Sequence, residues 1–263
     1  MFSKKNIYDS LKKIGLKSGD NVLVKSDLRF LGEYENQSKL CEDLYKTISQ
    51  IINLKKGTIF VSTSSTYLCN TNKTFDIKKT KSERGAFSNY ILGLKKSIRS
   101  IHPYLSYTGI GKYAKHVCTK NSKHGYGPNS PKERMLKINT KYISIGLKPN
   151  QTSTFIHYVE MKMGVPYRYT KEFKSKIMIN NKIKKENYYM YVYYLNTDLK
   201  RDENKKLFIF CKKNGLKINK TNIGEGKIYY YDCNEFVSNS INFLTKNIYG
   251  WCLKEPTIRH YRK

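Results

Sequence analysis

The sequence predicts an α/β fold: a mixed, partly parallel central sheet flanked by helices, with a β-rich C-terminal subregion. Three observations predict it. Residues 21–61 run strand, helix, strand, the order of a βαβ unit whose strands pair in parallel. Helices and short apolar strands go on alternating as far as Pro166. Beyond it, strands dominate.

Each element has a local cause. Ile7, Leu11 and Ile14 recur at helical spacing, and Gly15 supplies the stop. Asn21–Lys25 reads as a short strand. Leu40, Leu44, Ile48, Ile51 and Ile52 mark a second helix, ending before Lys55-Lys56-Gly57. Thr58–Val61 is rich in β-branched residues and reads as a buried strand. The small-residue loop Ser62–Thr66 follows it. Ser82–Leu94 reads as a helix. Ser130-Pro131-Lys132-Glu133 opens another: serine as N-cap, proline at the first helical position, glutamate completing a capping box. Tyr142–Ile145 is a short apolar strand and Pro149–Ser153 a polar turn. The next helix carries His157 and is ended by Gly164 and Pro166.

Lys174–Ile179 and Tyr188–Leu195 read as strands, separated by a basic turn over Asn180–Lys185. Leu207–Lys213 is helical, with Gly215 beyond it. Lys217–Ile223 and Gly226–Tyr231 are strands about the turn Gly224-Glu225-Gly226, and Val237–Leu244 is a last helix. No internal repeat or low-complexity linker interrupts the chain. One domain over 1–263 is expected, with its core in 1–168 and a divergent subregion in 169–263.

Composition narrows the function. Lys and Arg number 50 against 20 Asp and Glu, a formal charge of +30 that draws anions: nucleic acid, phosphorylated small molecules or an acidic membrane surface. The same excess also fits a Lys-, Asn- and Ile-rich compositional bias. There is no apolar stretch of signal-peptide or membrane-span length. The six cysteines are scattered without CxxC spacing, which suits reduced thiols and a cytoplasmic protein. No HExxH or Cys/His ligand spacing is present, so no metal is expected. Walker, RRM, KH and finger patterns are missing as well.

The most informative stretch is Thr154-Phe155-Ile156-His157-Tyr158-Val159-Glu160. On a helix, residues three apart share a face, so imidazole and carboxylate meet. That pair reads either as a general base near neutral pH or as a packed structural contact. Arg99-Ser100-Ile101-His102-Pro103-Tyr104-Leu105-Ser106 offers small donors beside extended backbone, or a plain connection between strands. Lys25-Ser26-Asp27-Leu28-Arg29-Phe30-Leu31-Gly32 follows the first core strand, where α/β proteins place ligand loops. Ser26 and Arg29 suit phosphate there, or a helix cap and a solvated cation. The loop holding Thr63 lines a cleft or simply turns. Asp76 sits among Lys73, Lys78, Lys79 and Lys81, as a sugar contact or as a charge offset. Tyr188–Tyr194 reads as a strand with aromatics on both faces in preference to a base-stacking platform.

In order and spacing these segments resemble the aminoglycoside 3-N-acetyltransferase family. The resemblance rests on Gly19-Asp20, Ser26–Gly32, Gly57-Thr58, Phe75-Asp76, Arg99–Pro103, Gly127–Arg134, Thr154–Glu160 and Val165-Pro166-Tyr167-Arg168. It spans about Asn6 to Arg168, with a weaker echo at Ile223–Gly226. The first loop departs from it, reading Lys25-Ser26-Asp27 where the family usually has His-Ser-Ser.

The resemblance implies an enzyme that transfers an acyl group from acetyl-CoA or another acyl-CoA to an amine. His157 is then the general base, Glu160 its acidic partner and Thr154 a donor to the oxyanion. Ser26, Arg29, Thr63, Ser100, His102 and Ser106 fall in the coenzyme A cleft, and Asp76 on the acceptor side. The charge of +30 turns the expected acceptor toward a nucleotide-linked amino-deoxysugar of surface polysaccharide biosynthesis. Aminoglycoside acetylation is the alternative, and a nucleic-acid-binding module without activity the third reading.

Overall fold

The computed structural model of the protein describes residues 1–195 and 197–258. The chain begins with α1 (Lys4–Lys13), β1 (Asn21–Ser26), α2 (Leu40–Ile52) and β2 (Thr58–Ser62). β3 (Thr74–Asp76), α3 (Ala86–Gly93), β4 (Ile98–Arg99) and β5 (Tyr107–Gly111) follow. Then come α4 (Ala114–Cys118), α5 (Pro131–Lys137), β6 (Lys141–Ile145), α6 (Pro149–Thr152) and α7 (Phe155–Met163). A long hairpin, β7 (Arg168–Ile179) and β8 (Lys182–Tyr193), leads to α8 (Lys205–Lys213), β9 (Asn219–Ile223), β10 (Gly226–Asp232) and α9 (Cys233–Lys246).

Seven strands form the central sheet in the order β4-β5-β2-β1-β6-β10-β9. β2, β1 and β6 are parallel, while β5 and β10 join antiparallel on either side. The expected βαβ unit is therefore the heart of the molecule. Alternation along β1 assigns its faces. Val22 and Val24 pack with Ile7, Leu11, Leu44, Ile48 and Phe87 of α1, α2 and α3. Leu23 points the other way, into a core shared with Phe155, Ile156 and Val159 of α7 and with Phe208 and Phe236 of α8 and α9. Fully burying each such side chain contributes about 1.5–3 kcal/mol.

A smaller sheet, β3-β7-β8, encloses a third apolar cluster around Phe75, Tyr104, Phe173, Ile177 and Tyr188. Here the structure departs from the expected basic turn over Asn180–Lys185. Only Asn180 and Asn181 turn, both at positive φ, and Lys182–Asn187 continue as strand. Two asparagines at positive φ make the tight loop whose twist matches a hairpin. Twelve cross-strand pairs, from Arg168↔Tyr193 to Ile179↔Lys182, then override the weak strand propensity of lysine.

Other boundaries shift for local reasons. The expected turn at Pro149–Ser153 is the single helical turn α6. α3 starts at Ala86 rather than Ser82, because Ser82 and Asn89 exchange hydrogen bonds of 2.8 Å ahead of the helix. Ser130 caps α5 as expected, but Glu133 accepts from the Asn129 amide at 2.7 Å and no capping box closes. The glycine-bearing strand β5 was hidden from periodicity. A Cβ at Gly109 would lie 2.8 Å from the Phe60 ring, so the bare backbone is what lets β5 pack.

Candidate active site

α7 is anchored by what it buries. Phe155, Ile156 and Val159 enter the core, Gly164 ends the helix in the left-handed conformation, and the Lys132 ammonium donates to the Thr154 carbonyl at its start. Lys132 is itself fully buried, beneath the Tyr126 ring at 4.6 Å. On this fixed helix His157 and Glu160 share a face. His157 Nδ1 lies 3.0 Å from Glu160 Oε2, and the imidazole side chain keeps 27% exposure.

Glu160 has no exposure at all, and its carboxylate is fully engaged. Arg168 Nη2 is 2.8 Å from Oε2, and the Tyr193 hydroxyl donates to Oε1 at 3.2 Å. Arg168 also lies 3.6 Å over the Tyr193 ring and donates to the Tyr191 carbonyl at 2.7 Å. Arg201 donates to the Tyr193 hydroxyl and to Asn204 Oδ1. Burial alone would raise the Glu160 pKa, but the His157 hydrogen bond and the charge of Arg168 outweigh it and hold the carboxylate ionised.

Arg168 Nη2 also lies 3.1 Å from His157 Nδ1, so that nitrogen faces both a donor and the carboxylate. With its proton on Nδ1 the ring donates to Oε2, which accepts from Arg168 as well, and the Nε2 lone pair is left free. Burial lowers the His157 pKa to about 4; Arg168 and Lys132 add to this, and Glu160 opposes it. The ring is therefore neutral at pH 7. Beside it opens a cleft of about 330 Å³ lined by Lys25, Ser26, Arg84, Gln151, Ser153, Thr154, His157, Arg201 and Asn204, among others.

Ser26, Thr154 and His157 thus meet at one cleft, with Glu160 directly behind. Six other expected residues lie apart from it. Arg29 projects into solvent and pairs with Asp27 at 2.6 Å. The Thr63 hydroxyl bonds to Ser106 and Thr108 at 3.2 and 3.0 Å. Ser100 Oγ accepts from the Tyr107 amide at 2.9 Å. Ser106 Oγ donates to the Thr63 carbonyl and accepts from Arg99 Nε. His102 is buried; its Nδ1 accepts from the Leu105 amide at 3.1 Å, and Nε2 faces the Tyr189 carbonyl. Asp76 Oδ1 accepts from the amides of Lys78 and Lys79. Arg99 draws Ser106 and the Thr63 carbonyl inward, and Ser100, His102 and Asp76 bond to backbone groups of nearby segments.

Sequence reasoning passed over Lys25, Arg84, Lys132, Arg201 and Asn204 and gave Arg168 no role. Among them Lys25, Lys132 and Arg168 stood in quoted motifs, and the meaning of Arg168 depends on a carboxylate eight residues earlier. No metal-binding group of three His, Cys, Asp or Glu occurs among the described residues. No helix there is long and apolar enough to cross a membrane.

A three-layer α/β sandwich with an imidazole–carboxylate pair beside a cationic cleft is the architecture of a class of acetyltransferases. The chain belongs to the aminoglycoside 3-N-acetyltransferase family, whose description matches residues 23–245. The match runs well past Arg168, where the resemblance in sequence weakened. Aminoglycoside N(3)-acetyltransferase III of a Salmonella species is 23% identical over 180 residues, 63% of this chain and 63% of that protein's length. Aminoglycoside acetyltransferase AAC(3)-Xa superposes with a TM-score of 0.80 at 16% identity, covering 92% of both chains. AAC-IIIb, solved as a binary complex with CoASH, gives 0.79 at 14% identity over 97% of this chain and 99% of its own. These structures share the fold.

Proposed function

We propose that this protein transfers the acetyl group of acetyl-CoA to an amino group of an aminoglycoside-type amino sugar, with His157 as general base. The carrying observation is the His157 Nδ1–Glu160 Oε2 contact of 3.0 Å on a ring that lines the cleft; on this reading Nδ1 keeps its proton and Nε2 accepts one. Family membership and the name of the Salmonella relative support the acceptor class. Coenzyme A bound to AAC-IIIb supports the donor.

The amine attacks the thioester carbonyl while Nε2 removes its proton, and Glu160 steadies the imidazolium that forms. Thr154 lines the same space; on this reading its hydroxyl, buried in the structure, turns toward the developing oxyanion and donates to it. The test is release of free coenzyme A thiol from acetyl-CoA across a panel of aminoglycosides. Replacing His157→Ala should lower kcat/KM by about 10²–10⁴-fold. An unchanged rate in that variant would sink the assignment of the base.

One observation favours a second acceptor. Among the described residues, Lys25, Arg84, Lys132, Arg168 and Arg201 stand in or just behind the cleft, with Glu83 and Glu160 beside them. That imbalance suits an amine on a phosphorylated, nucleotide-linked sugar better than a polycation. A higher kcat/KM for such a sugar than for every aminoglycoside, falling with salt, would select this reading. The reverse ranking rejects it.

A further inference from the structure

We infer that Lys25 is a second catalytic group, the acid that delivers a proton to the departing coenzyme A thiolate across the cleft from His157. The inference rests on the acetyl-transfer reading but not on which amine is the acceptor.

Placement is the first argument. Lys25 is the penultimate residue of β1, between the parallel strands β2 and β6, at the carboxyl edge where α/β sheets gather ligands. Side chains alternate along β1, and Leu23 points into the core beneath α7. Lys25 therefore points to the same side, and it lines the cleft together with Thr154 and His157. Two proton-handling groups thus face one space from different elements.

The second argument is what the ammonium lacks. The structure gives Lys25 Nζ no hydrogen bond or ion pair to any described residue. The carboxylate with most influence on it, Glu83, is already taken by Arg84 at 2.9 Å and by the Thr66 amide and hydroxyl. Lys25 is only partly buried and opens onto the cleft, so its ammonium is left free to meet a ligand there. The groups facing it are Arg84 and Glu83 from the segment before α3, Lys132 from α5, and His157 and Arg201 in the cleft. Burial first, then Arg84, lowers its pKa to about 7, with Glu83 opposing. A lysine so tuned both holds and releases a proton at neutral pH.

The step balances. The amine nitrogen forms the new C–N bond and its proton passes to His157 Nε2. The C–S bond breaks, the sulfur keeps the electron pair, and Lys25 Nζ gives it a proton to make the free thiol. The imidazolium proton then restores the lysine, and the proton that the substrate ammonium shed before attack goes to solvent.

The experiment compares acetyl-CoA with acetyl thioesters of progressively more acidic thiols, ending with a nitrothiophenol, in wild type, Lys25→Met and Lys25→Arg. Lys25→Met should lower kcat about 10²-fold with acetyl-CoA and scarcely at all with the nitrothiophenyl ester. It should also lose the alkaline limb of kcat near pH 7. Lys25→Arg keeps the cation and should move that limb out of range. Wild type itself should show a shallow dependence of kcat on thiol pKa, a readout that needs no variant to fold. An equal loss with every thioester, or a change confined to the KM of the acceptor, overturns the inference in favour of a recognition role. Absence of transfer by wild type to any amine would instead overturn the acetyl-transfer reading on which it stands.

Discussion

At the scale of single residues, Glu160 does for His157 what a lone carboxylate could not. It is held by a guanidinium and a phenol, so it stays ionised without water and fixes the ring by one hydrogen bond. Glu160→Gln should cost about 10–100-fold in kcat, the usual penalty for removing the partner that orients a working imidazole. It should also cost about 3–5 kcal/mol of stability in urea melts, because Arg168 would be left as an uncompensated buried charge. The imidazole has a stability signature of its own. Its folded pKa lies below the ordinary value of about 6.5, so folding favours the neutral ring. That contribution is complete above the unfolded value and is lost as pH falls toward 4. Wild type should therefore lose more stability than His157→Gln between pH 7 and 4.5 in parallel denaturant titrations.

At the scale of elements, the helices follow from period and caps. Gly164→Ala should destabilise the end of α7 by about 1 kcal/mol through its left-handed backbone, since no atom lies within 4 Å of an added Cβ. Ser130→Ala should cost about the same through the lost cap of α5. Thermal melts check both, and activity should persist in each. These elements were legible because their causes are local: Ser130-Pro131, the Leu and Ile repeat of α2, Gly164. So was the pairing of His157 with Glu160, three residues apart. The rest depends on contacts distant in sequence. Tyr193 reaches Glu160 over 33 residues, and nothing near either announces it. Whether a loop hydroxyl faces a cleft or a neighbouring strand is set by register. For that reason Thr63, Ser100 and Ser106 read like site residues yet spend their hydroxyls on the backbone and on one another.

At the scale of the whole molecule, the charge of +30 should speed the arrival of a polyanionic donor. The KM for acetyl-CoA should rise several-fold between about 50 and 300 mM salt, as the screening length shrinks toward several ångströms. A KM that ignores salt would mean that the lysines are compositional. The architecture also sets when the chain becomes competent. His157 and Glu160 lie on α7, but the groups that lock the carboxylate arrive later: Arg168 and Tyr193 on the hairpin, and Arg201 beyond it. A nascent chain that has emerged only through Gly164 carries His157 and Glu160 without the clamp on the carboxylate. Its carboxylate has neither guanidinium nor phenol to hold the ring in register. On the proposed mechanism, transfer waits for synthesis to pass Arg201 and for the hairpin to dock, and a product terminated before Arg168 should show no transferase activity in a thiol-release assay.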